Sequence, residues 1–449
     1  MKFWQAALLT FAAMAALTAC GSGTSSQPAT PAPTAIPTAT PQPTPSPTPA
    51  TVPNPLTGLS NGDFDNTRPV AVTLRTADAQ VPQWGVADAD VMISGLTEGK
   101  FATQTVLYAR CDDIAKLGPV GPGRDLTLQL VLPLNAVPVH IDKNVYASNL
   151  LNVLHYQDLD GLHIGKAGFA MDEPRAAAGA PGETCWYTTG ALIHTGLTQY
   201  GATTAGANMP LFHFAQRPAP AVQNGTDLTV TFSEQDSERL VYAADAGVYQ
   251  KYNADGSPQI DDNTGAQVAF DNVLVLYASS GIKDDGVTRQ YDLTGGTGLY
   301  LTDGAWETIA WNKGDATAPL VLTDTAGKTL DVNPGKSYIA VWGGHYGQAL
   351  RLLGADGAEQ SLPARMPLLS SAADEVAAAA AMEEQRHQQQ VTDAQNALTA
   401  AQQQLEAARQ AAAAAPDNAE AAAAVTAAEA ALAAAQAMLD ALTTPITVG

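Results

Sequence analysis

Cationic side chains are scarce in this chain. Its 449 residues include 22 Lys and Arg against 44 Asp and Glu, a formal net charge of −22. A protein that grips a phosphate backbone needs a basic face, and so does one that clings by charge to anionic lipid. Neither class fits, and no nucleic-acid partner is expected. Charged residues of both signs make up 15% of the chain, well under the usual ~25%. Aromatics are few, and the three cysteines, Cys20, Cys111 and Cys185, show no metal-type pairing. There is no Gly-x-Ser-x-Gly elbow and no phosphate-loop Lys-Ser/Thr. No cofactor and no metal is expected. Outside the N-terminus and an Ala-rich tail, no apolar run is long enough to cross a membrane.

The N-terminus reads as an address. Lys2 precedes an apolar run, Ala6–Ala16, and small residues follow, the pattern of an export signal over residues 1–19. Leu17-Thr18-Ala19-Cys20 resembles the bacterial lipobox. That resemblance implies cleavage before Cys20 and a diacylglyceryl group on its thiol. One acyl chain binds a membrane marginally and two hold it firmly, at roughly 0.8 kcal/mol per buried CH₂. From Cys20 to Pro53 the chain is Pro, Thr, Ala and Ser with almost no apolar bulk, so it reads as an unfolded tether or stalk. With Cys20 lipidated, Cys111 and Cys185 remain, either paired as a disulfide or buried as two separate thiols.

The folded body divides by pattern. Over 54–215, apolar strand signals at Arg68–Leu74, Ala89–Ser94, Ala102–Arg110, Pro138–Ile141 and Gly161–Ile164 alternate with helical spacing at Arg124–Leu134 and Val145–His155. That is an α/β domain. Over 222–366, short runs rich in Val, Tyr, Thr and Trp are separated by turn pairs such as Asp255-Gly256 and Asp303-Gly304. That is a smaller antiparallel all-β domain. A helical tail over 371–445 completes an α+β multidomain chain.

An ordered series carries a family resemblance. Asn54-Pro55-Leu56-Thr57-Gly58-Leu59, Arg68-Pro69-Val70-Ala71-Val72, Gly85-Val86-Ala87-Asp88-Ala89-Asp90-Val91, Glu98-Gly99 and Gly118-Pro119-Val120 lead into Arg124. Asp271-Asn272-Val273 and Asn333-Pro334-Gly335-Lys336 follow. Together they resemble the YerB-like bacterial lipoproteins over about 54–345. The resemblance implies a lipid-anchored extracytoplasmic protein of two-domain form and supplies no chemistry. The chain departs from the pattern at Gly121-Pro122-Gly123-Arg124, where one Arg stands in place of two, and around Arg175, where a His is missing.

Candidate ligand-binding residues sit near strand ends, where ligands gather in open α/β sheets. They are Glu98, Arg124, His140, Asp142 and His163. The glycine loop ahead of Arg124 either presents backbone N–H groups to an anion or forms a rigid turn. His140 and Asp142 share a strand face and so form a candidate acid–base pair. Two functions follow. One is a non-catalytic binding or scaffold protein of the cell envelope, anchored at Cys20, with an envelope protein or the cell wall as partner. The other is an envelope hydrolase or transferase, which requires Glu98, Arg124 and His140 to converge in one cleft.

The tail is the most specific pattern. Ser371 with Asp374 reads as a helix start, and Asp417 with Glu420 as a second. Val391, Ala394, Leu398, Ala401, Leu405 and Ala408 form one seam; Val425, Ala428, Leu432, Ala435, Leu439 and Leu442 form another. A reversal at 416/417 sets Ala against a larger side chain in every pair but Val391–Leu442. The expectation is an antiparallel coiled-coil hairpin, with a free overhang of the first helix as a partner-binding face.

Overall fold

The computed structural model describes residues 51–76, 81–218, 220, 224–345 and 347–443. The signal, Cys20 and most of the tether lie outside them.

The strands of the first half are continuous apolar runs because their sheet is covered on both faces. In Val70–Leu74, Val70, Val72 and Leu74 enter one buried cluster while Ala71 enters the other. The first cluster also holds Leu228, Val230, Phe232, Leu240 and Tyr249. The second holds Leu126, Leu130 and Leu151 from the helices. One sheet is thus sandwiched between helices and a second sheet.

The central sheet has ten strands. Its order is Val321–Asp324, Ala305–Asn312, Gly295–Thr302, Asn272–Tyr277, Ser337–Trp342, Val91–Gly95, Thr103–Tyr108, Val70–Leu74, Val137–His140, Leu159–Asp160. Strands from both sides of residues 215–222 share it. Ser337–Trp342 is wedged between Asn272–Tyr277 and Val91–Gly95 and runs parallel to both. The second sheet is antiparallel throughout: Ala269–Phe270, Val248–Tyr252, Asp236–Ala243, Asp227–Ser233, Ala349–Leu353. The fold class read from the sequence therefore holds, with parallel pairing added at the seam.

Two local readings are corrected, and one hairpin carries no sequence signal. Gly161–Ile164 is a single helical turn, because the Asp160 carboxylate caps it at Leu162 N, 2.9 Å. The sequence reads Val268–Tyr277 as one strand, but the run breaks at Asp271, whose carboxylate accepts from Lys336 N at 2.7 Å. The hairpin Ser279–Ile282 with Arg289–Asp292 has too little apolar content to announce itself.

The tail folds back on itself. The helices Ala372–Ala414 and Ala419–Thr443 pack together. Ala394, Ala401 and Leu405 are buried, and every other seam residue named above is half-buried among exposed neighbours. His387 meets the Leu442 carbonyl at 2.9 Å and Arg409 meets Glu429 at 3.0 Å, which places the two ends of an antiparallel pair. Ser371 caps the first helix as expected, and with Asp374 it closes a capping box. The second cap is Asn418, whose side chain accepts from Glu420 N at 2.9 Å; Asp417 does not serve. The overhang of the first helix is also not free at its start. Glu375 pairs with Arg289 at 2.6 Å, and Gly286 lies so close to Met382 and the Ala378 carbonyl that a Cβ there would sit 2.7 and 2.8 Å away. Among the described residues, Ala419–Thr443 is long and apolar enough to cross a membrane.

Candidate functional site

The glycine loop is built by close approach. Gly121 N donates to Thr73 O at 2.8 Å, and a Cβ on Gly121 would stand 2.6 Å from the Leu74 carbonyl. Gly123 N donates to Asp142 O at 2.9 Å, and a Cβ there would stand 2.7 Å from His140 Nδ1. The loop threads between the ends of Val70–Leu74 and Val137–His140, where side chains do not fit. This is the rigid-turn reading of the loop. The helix that follows, Asp125–Val131, spans two turns, with Arg124 at its N-cap position.

Arg124 turns back from that helix. Its guanidinium donates to Gly123 O at 3.0 Å and forms an ion pair with Glu98. Both line a cleft of about 260 Å³ together with Arg75, Thr76 and Lys100. Arg75 and Lys100 have no side-chain partner among the described residues, and the Nε atoms of Arg75 and Arg124 are buried without one. Among the described residues the cleft holds three cations against one carboxylate, a local positive site in a strongly acidic protein.

His140 does not line this cleft. It is fully buried, with Nε2 at 2.7 Å from Asp158 and Nδ1 closed off behind Gly123. Lys143 joins the cluster, 2.9 Å from Asp158 and 2.7 Å from Asp160. Burial alone would raise the Asp158 carboxyl, but hydrogen bonds and charge from His140 and Lys143 outweigh it and hold it down at about 2. His140, Asp158 and Asp160 have ligand atoms close enough together to hold a cation, and the Lys143 ammonium supplies one between the two carboxylates. Asp142 does not face His140. It lies beyond the strand end in a left-handed conformation, φ 72°, and its carboxylate accepts from Lys143 N at 2.8 Å. His163 is 69% exposed on the helical turn, 3.8 Å from Asp160. Cys111 and Cys185 are free, separately buried thiols. Arg175 stacks over Trp84, 3.5 Å from the ring centre, and donates to the carbonyls of Pro82 and Thr184.

A second cavity, about 400 Å³, opens beside the first and shares Thr76 with it. None of the candidate ligand-binding residues named from the sequence lines it; Asp255, read there as part of a turn pair, does. Glu238 and Lys251 form an ion pair at 3.3 Å in its wall, 4% and 1% exposed. Glu238 also accepts from Gln104 at 2.7 Å and from Tyr338 at 2.6 Å. Asp236 accepts from Ala102 N at 2.6 Å. Burial, reinforced by the Glu238 charge, pushes the Asp236 carboxyl up to about 6. The sequence did hold a signal for this pair. Glu238 lies in phase with inward Leu240, and Lys251 with inward Tyr249, so both charges fall on buried faces of their strands.

Residues 56–202 match a family described as the N-terminal domain of DUF3048, a protein of unknown function, and residues 228–339 match its C-terminal domain. A Bacillus subtilis (strain 168) protein named "Putative lipoprotein YerB" is 26% identical over 297 residues, covering 64% of this chain and 85% of that protein. A crystal structure of YerB from Bacillus subtilis superposes with a TM-score of 0.58 at 24% identity, covering 67% of this chain and 99% of that one.

Proposed function

The chain belongs to the DUF3048 family of YerB-like proteins, and from that membership we propose a non-catalytic, lipid-anchored binding protein of the cell envelope that takes an anionic ligand in the Arg75–Lys100–Arg124 cleft. The observation that supports binding over catalysis is the way the expected catalytic trio is arranged. Arg124 and Glu98 share a cleft and neutralise each other, while His140 is sealed behind Gly123 with its Nε2 engaged by Asp158. A general base must reach the proton it takes, and this histidine faces no open space. Two cations without a side-chain partner among the described residues remain at the cleft, which suits a carboxylate or phosphate.

Anchoring is tested at Cys20. Cys20→Ala should leave the membrane pellet or accumulate with an uncleaved signal. Normal processing with undiminished membrane attachment would remove the anchor from the proposal. Binding is tested with inorganic phosphate and acetate on the full chain. Either anion should raise the melting temperature, and Arg124→Ala should fold with little loss and abolish that rise. A large loss of stability with no anion effect in the parent protein would make Arg124 a framework residue.

A further inference from the structure

The wall of the 400 Å³ cavity has a direction built into it. Gln104, Gln83 and Gln259 line it, each 9% exposed or less, and stand in one hydrogen-bonded row. A carboxylate only accepts, so Gln104 turns its amide N–H to Glu238 at 2.7 Å. Gln104 Oε1 then accepts from Gln83 at 3.1 Å, and Gln83 Oε1 accepts from Gln259. Reversing any one of these amides would bring two acceptors face to face, so the one carboxylate orients all three. The row ends at Gln259 Oε1, a buried acceptor without a partner among the described residues, on a side chain that is 6% exposed. A bare buried acceptor costs free energy that a ligand N–H would recover.

The same wall carries one charge in excess. Glu238 spends its oxygens on Gln104, Tyr338 and Lys251, and Lys251 neutralises it. Asp236, two residues along the strand, accepts from Ala102 N through Oδ2, while its Oδ1 has no partner among the described residues. Gln259 lies against this charged pair, since its backbone N–H donates to Lys251 O at 3.0 Å. Nearer the surface, Asp255 is turned to Ser257 and Asp262 to Arg175. The open groups are thus one amide oxygen and one carboxylate oxygen. Calcium takes about six to eight oxygens, so two beside an ammonium are too few. A ligand ammonium needs only a counter-charge and acceptors for its N–H groups. The cavity also leaves room for an apolar body beside Pro82, Ala102 and Ile260.

We propose that this cavity binds a small primary amine, with its ammonium hydrogen-bonded to Gln259 Oε1 and Asp236 as its counter-charge. The site is separate from the anion cleft. Thr103, next to Gln104 on its strand, lines that cleft instead, so the two open on opposite faces of the strand.

The test is titration of the full chain with n-propylammonium at constant ionic strength, read by NMR at the glutamine side-chain amides. The Gln259 and Gln83 N–H signals should shift and saturate. Two relatives of the probe separate charge from hydrogen bonding. Propyltrimethylammonium keeps the charge and lacks N–H donors; 1-propanol keeps a donor and lacks the charge. Each should bind about tenfold more weakly or worse. Asp236→Asn and Gln259→Met should each weaken n-propylammonium by about the same factor. The comparison of probes uses the unmodified chain, so it stands even where a variant misfolds. An equal response to the quaternary ion or to the alcohol would overturn the proposal. So would calcium shifting these signals at lower concentration than the amine, or amine binding that leaves them unmoved. None of these results bears on the anion cleft, which phosphate and acetate test separately.

Discussion

Replacing Lys251 by Met should cost about 3–5 kcal/mol of folding stability, measured by urea denaturation. Lys251 is 1% exposed and pairs with Glu238 at 3.3 Å between the two sheets. Its removal leaves Glu238 ionised, buried and held by neutral donors alone, Gln104 and Tyr338. An ion stripped of its counter-charge loses the attraction and keeps the desolvation penalty. Removing both charges is milder, since the pair's attraction and its desolvation nearly offset each other. The double variant Glu238→Gln/Lys251→Met should therefore recover most of the loss. Its interaction energy should be large and favourable in a double-mutant cycle. A loss under 1 kcal/mol in the single variant would mean that water reaches the pair through the cavity.

The same pair shows where sequence reading stops. Local pattern exposes what depends on near neighbours. The a/d seams of the tail name the residues that become buried or half-buried, because helix pairing repeats every few residues and the hairpin closes over a short turn. The apolar runs at Val70–Leu74 and Val91–Gly95 announce strands. They do not announce that Val91–Gly95 pairs with Ser337–Trp342, some 240 residues away, since nothing in either run encodes its partner. The candidate site follows the same rule. Glu98 and Arg124 could be named singly from strand and loop ends, and their meeting is a property of the assembled sheet. His140 was visible as a titratable group, but its partner, Asp158, lies on a loop with no spacing signal, as does the Lys143 that shares that carboxylate. Asp142 failed because the strand ends before it and the backbone turns left-handed. Asp236 looks like an ordinary turn residue until its sheet packs against the central one and its carboxylate meets Ala102 N.

Between pH 7 and 4.5 two single variants should diverge from the parent protein's stability by about 2 kcal/mol in opposite directions. His345 is 4% exposed, with Nδ1 3.1 Å from Ser280 Oγ. Burial pushes its imidazole down from 6.5 to about 4, and Arg289 and Arg365 add to this against Glu375. Below pH 6.5 the unfolded chain takes up a proton there that the native state refuses, so its stabilising contribution is full above 6.5 and falls toward pH 4. Asp236 acts in the other direction. Its carboxyl is raised from 3.8 to about 6 by burial and by Glu238, against Lys251 and the Ala102 N–H. Below pH 6 the native state takes up a proton that the unfolded chain does not bind until 3.8, so stability rises as the pH falls through this window. The two slopes oppose each other over the same range and are similar in size. His345→Gln removes the loss and should grow more stable on acidification. Asp236→Asn removes the gain and should grow less stable. Urea melts at pH 7 and 4.5 measure both slopes, and comparing slopes cancels the pH-independent cost of each substitution. Parallel slopes in all three proteins would mean that neither group is desolvated as the fold places it. A reversed slope in Asp236→Asn alone would show that Lys251 outweighs burial and Glu238 at that carboxyl.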